Sequence, residues 1–166
     1  MIVANVIISL NFDNFPDEMK RLAYDTHKSI GITVLGLLIM RVLWRITHKP
    51  PAYPHHYKPW EKRVSHIVHI ILYFVMIALP VTGWMHDSAW KAAPEIPLNW
   101  FGLFELPRIS MIMNQDAATK ESLHHLFAEW HEWSAYALYA LVFLHVAGAL
   151  KHQFIDKHPE LQRMWK

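Results

Sequence analysis

The sequence predicts an all-α fold, an integral membrane four-helix bundle whose first helix is truncated. Three observations carry this expectation. Apolar residues make up 53% of the 166-residue chain and include eight tryptophans, whereas charged residues are held to 18%, a balance typical of membrane proteins. The charges gather between apolar blocks, so mean hydropathy is only +0.10. Finally, apolar blocks separate at residues 1–12, 22–46, 64–85 and 129–152, and the last three can cross most of a bilayer's hydrocarbon core as helices. Residues 1–166 read as one domain without internal repeats. The net charge of +2 is uninformative, but the absence of cysteine excludes disulfides, iron–sulfur clusters and thiolate-ligated haem.

The first block, MIVANVIISLNF, is apolar from its first residue and stops at Asp13. Twelve residues fall short of the roughly 20 that a spanning helix needs. Two readings remain: a short anchor in the interface, or the second half of a spanning helix whose first half lies outside this chain. The missing polar or basic lead-in favours the second. The next block, 22–46, is strictly uncharged only over residues 29–40, with Asp25 and Lys28 at one end and Arg41 and Arg45 at the other. Arginines at a helix end can snorkel to the interface, so a tilted span is expected. His27 lies about one turn inside it, and Arg41 follows fourteen residues later on the same face. Arg41 is therefore either an interfacial anchor or a cationic partner for a cofactor.

The third block, 64–85, is uncharged until Asp87, and Pro80 is tolerated in it because neighbouring helices compensate the lost backbone bond. His66 and His69 share a face near its start and read first as interfacial polar residues. Residues 87–125 form a long connection whose aromatic stretches, NWFGLFELP and ISMIM, are expected to lie on the membrane surface over whatever is beneath. The last block runs HEWSAYALYALVFLHVAGALKH from His131. His131 and His145 are fourteen residues apart, close to four turns, which sets both imidazoles on one face ~21 Å apart along the axis. His152, seven residues on, continues the stripe. Residues 48–63, HKPPAYPHHYKPWEKR, form a proline-rich basic loop, which with the C-terminal tail is expected on the cytoplasmic side. His27 and His131 then share the outer level, and His145 shares the inner level with Arg41, His66 and His69.

A histidine within a membrane span is costly without a partner and marks a functional site. Facing imidazoles from separate helices, without thiolates, suit six-coordinate haem b and leave no open position for oxygen. Gly31 and Ala135, one turn from His27 and His131, leave room for a flat macrocycle. His145 needs a second ligand, from a histidine ahead of this chain or from His69 or His66. Zinc is the competing metal and a histidine-lined metal transporter the competing function, although membrane zinc sites usually add carboxylates to the histidines.

At this point the chain resembles a known family. THKSIG and RVLWR in the second span, VSHIVHIILYFVMIALPVTGW in the third, FGLFELP in the long connection, and LHHLFAEWHEW with LHVAGALKHQFID in the fourth resemble the bacterial cytochrome b561 family. These are four-helix di-haem membrane proteins related to the cytochrome b subunits of nickel hydrogenases. The resemblance implies two haems b, the outer one ligated by His27 and His131 and the inner one by His145. In the family, the other inner ligand is a histidine near the start of the first span, which this chain lacks. It further implies a multi-pass protein of the bacterial inner membrane that exchanges electrons with membrane quinone, ubiquinone among the candidates. Some members oxidise superoxide outside and reduce quinone with the electron. Lys151 and His152 match a family position at the inner membrane edge, where a quinone headgroup could hydrogen-bond. An anchoring cytochrome b subunit that docks a soluble hydrogenase or dehydrogenase is the alternative; no nucleic-acid partner is expected.

Overall fold

The computed structural model describes residues 1–48 and 58–157. The middle of the proline-rich loop, residues 49–57, and the tail from 158 lie outside the described residues, so the expectations made for them stop there.

Helix boundaries follow local chemistry. α1 (Ile2–Leu10) ends in a 3-10 turn, Phe12–Asn14, and Pro16 precedes α2 (Asp17–Thr47). Two acids, Asp17 and Glu18, stand in the first turn of α2 and Arg45 in its last, each with the sign that the helix dipole favours. α3 (Pro59–Ala89) has proline at its first position, where no N–H is needed, and the Lys58 N–H donates to Glu61 Oε2 at 3.0 Å. α5 (Ala117–Leu150) is capped by Asp116, which accepts from the Ala118 and Thr119 N–H groups at 3.1 and 3.0 Å and from the Thr119 hydroxyl at 2.6 Å. Those hydrogen bonds, led by the Thr119 hydroxyl, hold the Asp116 carboxyl below its ordinary range. A π-helical turn, Lys151–Ile155, carries α5 onward.

Three of these helices, Asp17–Thr47, Pro59–Ala89 and Ala117–Ile155, are long and apolar enough to cross a membrane. Only 6% of the apolar window of each is buried within the protein. Their large side chains, Leu37, Phe74 and Phe143 among them, point outward, as expected where lipid rather than protein is the apolar solvent. α3 and α5 share the most extensive interface, α2 lies against α3, and α1 lies against α2. At nine residues, or ~13 Å, α1 is too short to cross a membrane.

Two features differ from the sequence-based expectation. α5 begins at Ala117 rather than near residue 129, so much of the expected connection is helix. Lys120, Glu121 and Glu129 lower its local hydropathy, but the Asp116 cap starts the helix regardless. The fold also contains a two-residue antiparallel hairpin, β1 (Asn99–Trp100) with β2 (Phe104–Glu105). Its turn places Phe101 at φ 47° and Gly102 at φ 73°, the paired positive φ of a tight hairpin turn. A four-residue helix, α4 (Ser110–Met113), completes this segment.

The hairpin segment caps one end of the bundle, and buried polar groups fasten it there. Asp87, 5% exposed at the end of α3, takes the Lys28 ammonium at 2.6 Å and Arg108 Nε at 2.8 Å. Arg108 Nη1 also donates to the Ala93 and Ile96 carbonyls at 2.6 and 2.7 Å. Ser29, 1% exposed, accepts from the Phe101 N–H at 2.9 Å, and Trp100 Nε1 donates to Thr33 Oγ1 at 2.9 Å. Ser88 accepts from the Ile109 N–H at 3.0 Å, and Trp84 Nε1 donates to the Pro107 carbonyl at 3.0 Å. At the opposite end, nothing comparable is found among the described residues.

Candidate functional site

Beneath the cap, α1, α2, α3 and α5 surround a cavity of about 800 Å³ whose walls include His27, Gly31, Gly83, His131 and Ala135. Its size is that of a cofactor site. His27 comes from α2 and His131 from α5. Their ring centroids are 6.2 Å apart and their planes cross at 76°. Metal–imidazole bonds run ~2.0–2.1 Å and a ring centroid sits about 1.1 Å behind the bonding nitrogen, so two axial imidazoles on one metal need centroids about 6.3 Å apart. The pair meets that separation.

Backbone geometry sets the His131 ring. Its Nδ1 lies 2.9 Å from the Leu79 carbonyl and 3.3 Å from Thr82 Oγ1. In the tautomer protonated at Nδ1, the ring donates to Leu79 and leaves Nε2 for a ligand, as metal-binding histidines commonly do. α3 can approach this closely because residue 83 is glycine: a Cβ there would come within 3.1 Å of His131 Cε1 and 3.2 Å of Nδ1. His27 is flanked edge-on by Phe12 at 5.4 Å, and its buried Nδ1 has no hydrogen-bond partner.

A second pair stands lower in the bundle. His69 of α3 and His145 of α5 have ring centroids 5.3 Å apart at 66°. α3 and α5 run antiparallel, and fourteen residues separate Gly83 from His69 just as fourteen separate His131 from His145. Equal steps in opposite directions, ~21 Å each, bring the second contact together below the first. His69 is thus the histidine set against His145, rather than a purely interfacial residue. These rings would have to part by about 1 Å to admit a metal between them.

The remaining predicted residues gather at the opposite end from the cap. Arg41 Nε donates to the Tyr73 hydroxyl at 3.1 Å, and the Arg45 guanidinium lies over the Tyr73 ring at 5.4 Å, so both arginines join α2 to α3. Lys151 Nζ reaches Asp156 at 2.8 Å and Glu61 at 3.4 Å, and His152 Nδ1 lies 2.7 Å from Asp156. The Lys151 hydrogen bond, then that from His152, holds the Asp156 carboxyl below its ordinary range. The π-helical turn beneath Lys151 and His152 is a distortion often found at functional sites.

Sequence reasoning missed two features of the capped end. His86 and His124, on the same cavity wall, stack with centroids 3.9 Å apart at 22°, and His124 Nδ1 lies 3.1 Å from the His86 carbonyl. Both fall just beyond the expected spans, where a histidine carries no membrane signal. The Lys28–Asp87–Arg108 cluster was equally hidden, since nothing in the sequence ties charges so far apart.

Apolar helices of membrane-crossing length, with imidazoles paired at two depths and no thiol in the chain, define a class: helical membrane proteins with histidine pairs set between their helices. The particular family follows from the whole chain. Residues 1–166 match the family model for prokaryotic cytochrome b561, and the protein belongs to that family. It is similar to cytochrome b561 homolog 2 of Escherichia coli, 32% identical over 142 residues, covering 86% of this chain and 70% of the relative. It is also similar to the probable superoxide oxidase CybB of Yersinia pestis, at 28% identity with 83% and 72% covered, and to cytochrome b561 homolog 1 of Escherichia coli, at 25% with 86% and 74% covered. As a member of this family it is a membrane electron-transfer cytochrome, and haem b is the cofactor the family implies.

Proposed function

We propose that this chain forms one membrane domain that carries electrons across the bacterial inner membrane on haem b, between a donor at the capped, outward-facing end and membrane quinone at the other. His27 and His131 hold one haem; His145, with His69 as its partner within this chain, is the ligand pair for a second. The observation that carries this reading is the 6.2 Å separation of the His27 and His131 rings, together with the occupied His131 Nδ1 and the cavity between them. When bound, haem b would supply one-electron redox chemistry, held by these histidines.

The surrounding residues have separate tasks. Gly31 and Gly83 keep side chains out of the space beside the imidazoles. The Leu79 carbonyl orients His131. Trp90 and Leu98 of the cap form part of the cavity wall. At the inner end, Arg41 is the cationic partner at the depth of the second pair. Lys151 and His152 offer hydrogen bonds to a quinone headgroup, with ubiquinone the expected substrate. Superoxide is the proposed outer donor; the likeness to a probable superoxide oxidase supports this.

The test is spectroscopic. Purified protein should show a bis-imidazole haem b spectrum that is reduced by superoxide or quinol, and His131→Ala should lose the haem beneath the cap. An unchanged spectrum in that variant would refute the ligand assignment. Stable purification with a metal-cluster partner would instead favour an anchoring subunit, and stoichiometric zinc without Soret absorbance a metal transporter.

A further inference from the structure

The end opposite the cap carries a side-chain cluster with the composition of a metal site. Among the described residues, Glu61, His152 and Asp156 form a group whose ligand atoms all lie within 4.8 Å of one another. Glu61 comes from the first turn of α3, and His152 and Asp156 from the π-helical turn after α5 and its cap. That turn closes with the Asp156 N–H donating to the Lys151 carbonyl at 3.1 Å. Across it, His152 Nδ1 lies 2.7 Å from Asp156 Oδ2.

Two features set this group apart from an ordinary surface ion pair. The Glu61 side chain is only 12% exposed, and its Oε2 accepts the Lys58 N–H at 3.0 Å, which leaves Oε1 as the oxygen that meets the α5 end. The two carboxylates also share the Lys151 ammonium unequally. Lys151 Nζ is 2.8 Å from Asp156 Oδ2 but 3.4 Å from Glu61 Oε1, longer than the roughly 2.7–2.9 Å of a well-made charge-assisted hydrogen bond. The Lys151 side chain is 45% exposed, and an ammonium on a flexible, exposed stem is weakly held. A divalent ion would give both carboxylates full bonds and take the imidazole as well.

We propose that Glu61, His152 and Asp156 form a site for a zinc-class divalent cation, which binds by displacing the Lys151 ammonium toward solvent. One imidazole with two carboxylate oxygens suits zinc, and three protein ligands leave a fourth position for water. Ligand atoms around a tetrahedral zinc stand about 3.4 Å apart. From at most 4.8 Å, the group therefore closes by side-chain rotation alone. The bound ion cross-links the start of α3 to the end of α5. Lys151 and His152 are also the residues assigned to the quinone headgroup, so the cation competes with quinone there; this consequence alone rests on the proposed function.

The test is a calorimetric titration of zinc into the purified, haem-loaded protein and three variants. His152→Ala and Asp156→Asn should each weaken one zinc equivalent by at least about tenfold, the scale on which even an outer-shell partner counts. Lys151→Ala should tighten it, because the competing ammonium is gone. Equal binding by all four proteins would overturn the proposal, and so would unchanged or weaker binding by Lys151→Ala. If the variants do not accumulate in the membrane, X-ray absorption at the zinc edge of the wild-type protein, loaded with one equivalent, decides. One nitrogen among oxygen ligands is expected there, and two or more histidine nitrogens overturn the site. Zinc should also slow haem reduction by quinol in the wild type and do so less in Asp156→Asn. Unchanged reduction with zinc bound overturns the competition. Haem that quinol cannot reduce even without zinc refutes the quinone reading, whereas the titration judges the metal site by itself.

Discussion

The two ends of the helical array are built differently. At the capped end, His27 and His131 stand at the separation an intervening metal requires, His131 is tied to backbone, and the Asp87 cluster clamps the hairpin segment above them. At the opposite end, His69 and His145 are about 1 Å closer, and among the described residues the exposed Lys151–Glu61 pair joins α5 to α3. The contrast teaches that a buried ion cluster which fastens a loop can preorganise the site beneath it. Exposed pairs, screened by water, contribute little rigidity.

Four measurements would break or sharpen this contrast. The largest effect belongs to the ligands. His131→Ala should abolish haem binding at the capped end while leaving a haem at the other, read as a drop in haem per chain, and His145→Ala should do the reverse. Loss of all haem from either single variant would mean that the two ends are not independent.

Next comes the clamp. Asp87→Ala strands the Lys28 and Arg108 charges beneath the cap, and breaking a buried pair in this way costs about 3–5 kcal/mol. Thermal unfolding in detergent should fall sharply, and residues 90–110 should become protease-sensitive. Asp156→Ala at the other end should change both far less; equal effects would erase the difference between the ends.

A smaller effect is expected from Gly83→Ala, whose Cβ would press on His131 at 3.1 Å and tilt the ring from its ideal position. Haem affinity should fall several-fold with an altered low-spin spectrum. Gly36→Ala meets nothing within 4 Å and should be neutral or stabilising by up to about 1 kcal/mol. Matching behaviour of the two variants would show that glycine at 83 is not needed for the close approach.

The smallest effect is a pH dependence at the end opposite the cap. The Asp156 carboxyl is held low by Lys151 and His152. Its contribution is present above the ordinary aspartate value of about 3.9 and is lost as pH falls through the lowered folded value. A slight loss of stability in that acidic window, absent in Asp156→Asn, is the expected result of a pH-dependent melting series.

Much of this was legible beforehand because helical periodicity is local. The fourteen-residue step from His131 to His145 places two imidazoles on one face whatever surrounds them, and the apolar blocks mark the spans. The start of α5 was not legible, because an aspartate cap outweighs the polar composition that follows it. The partner of His145 also stayed open among a histidine ahead of this chain, His69 and His66. Only the register of α3 against α5 shows that His69, and not His66, is the one whose ring lies beside it.

What the sequence by itself determined is therefore everything set by short-range spacing and solvent preference: helices of membrane-crossing length, the histidine stripes along them and the absence of thiol chemistry. The tertiary structure alone decided which stripe meets which, that Gly83 admits His131 and that Asp87 gathers Lys28 and Arg108. The physical reason is that periodicity orients a side chain about its own helix axis but carries no information on the rotation and height of its neighbour. Those are set jointly by packing and by the pairing of buried polar groups.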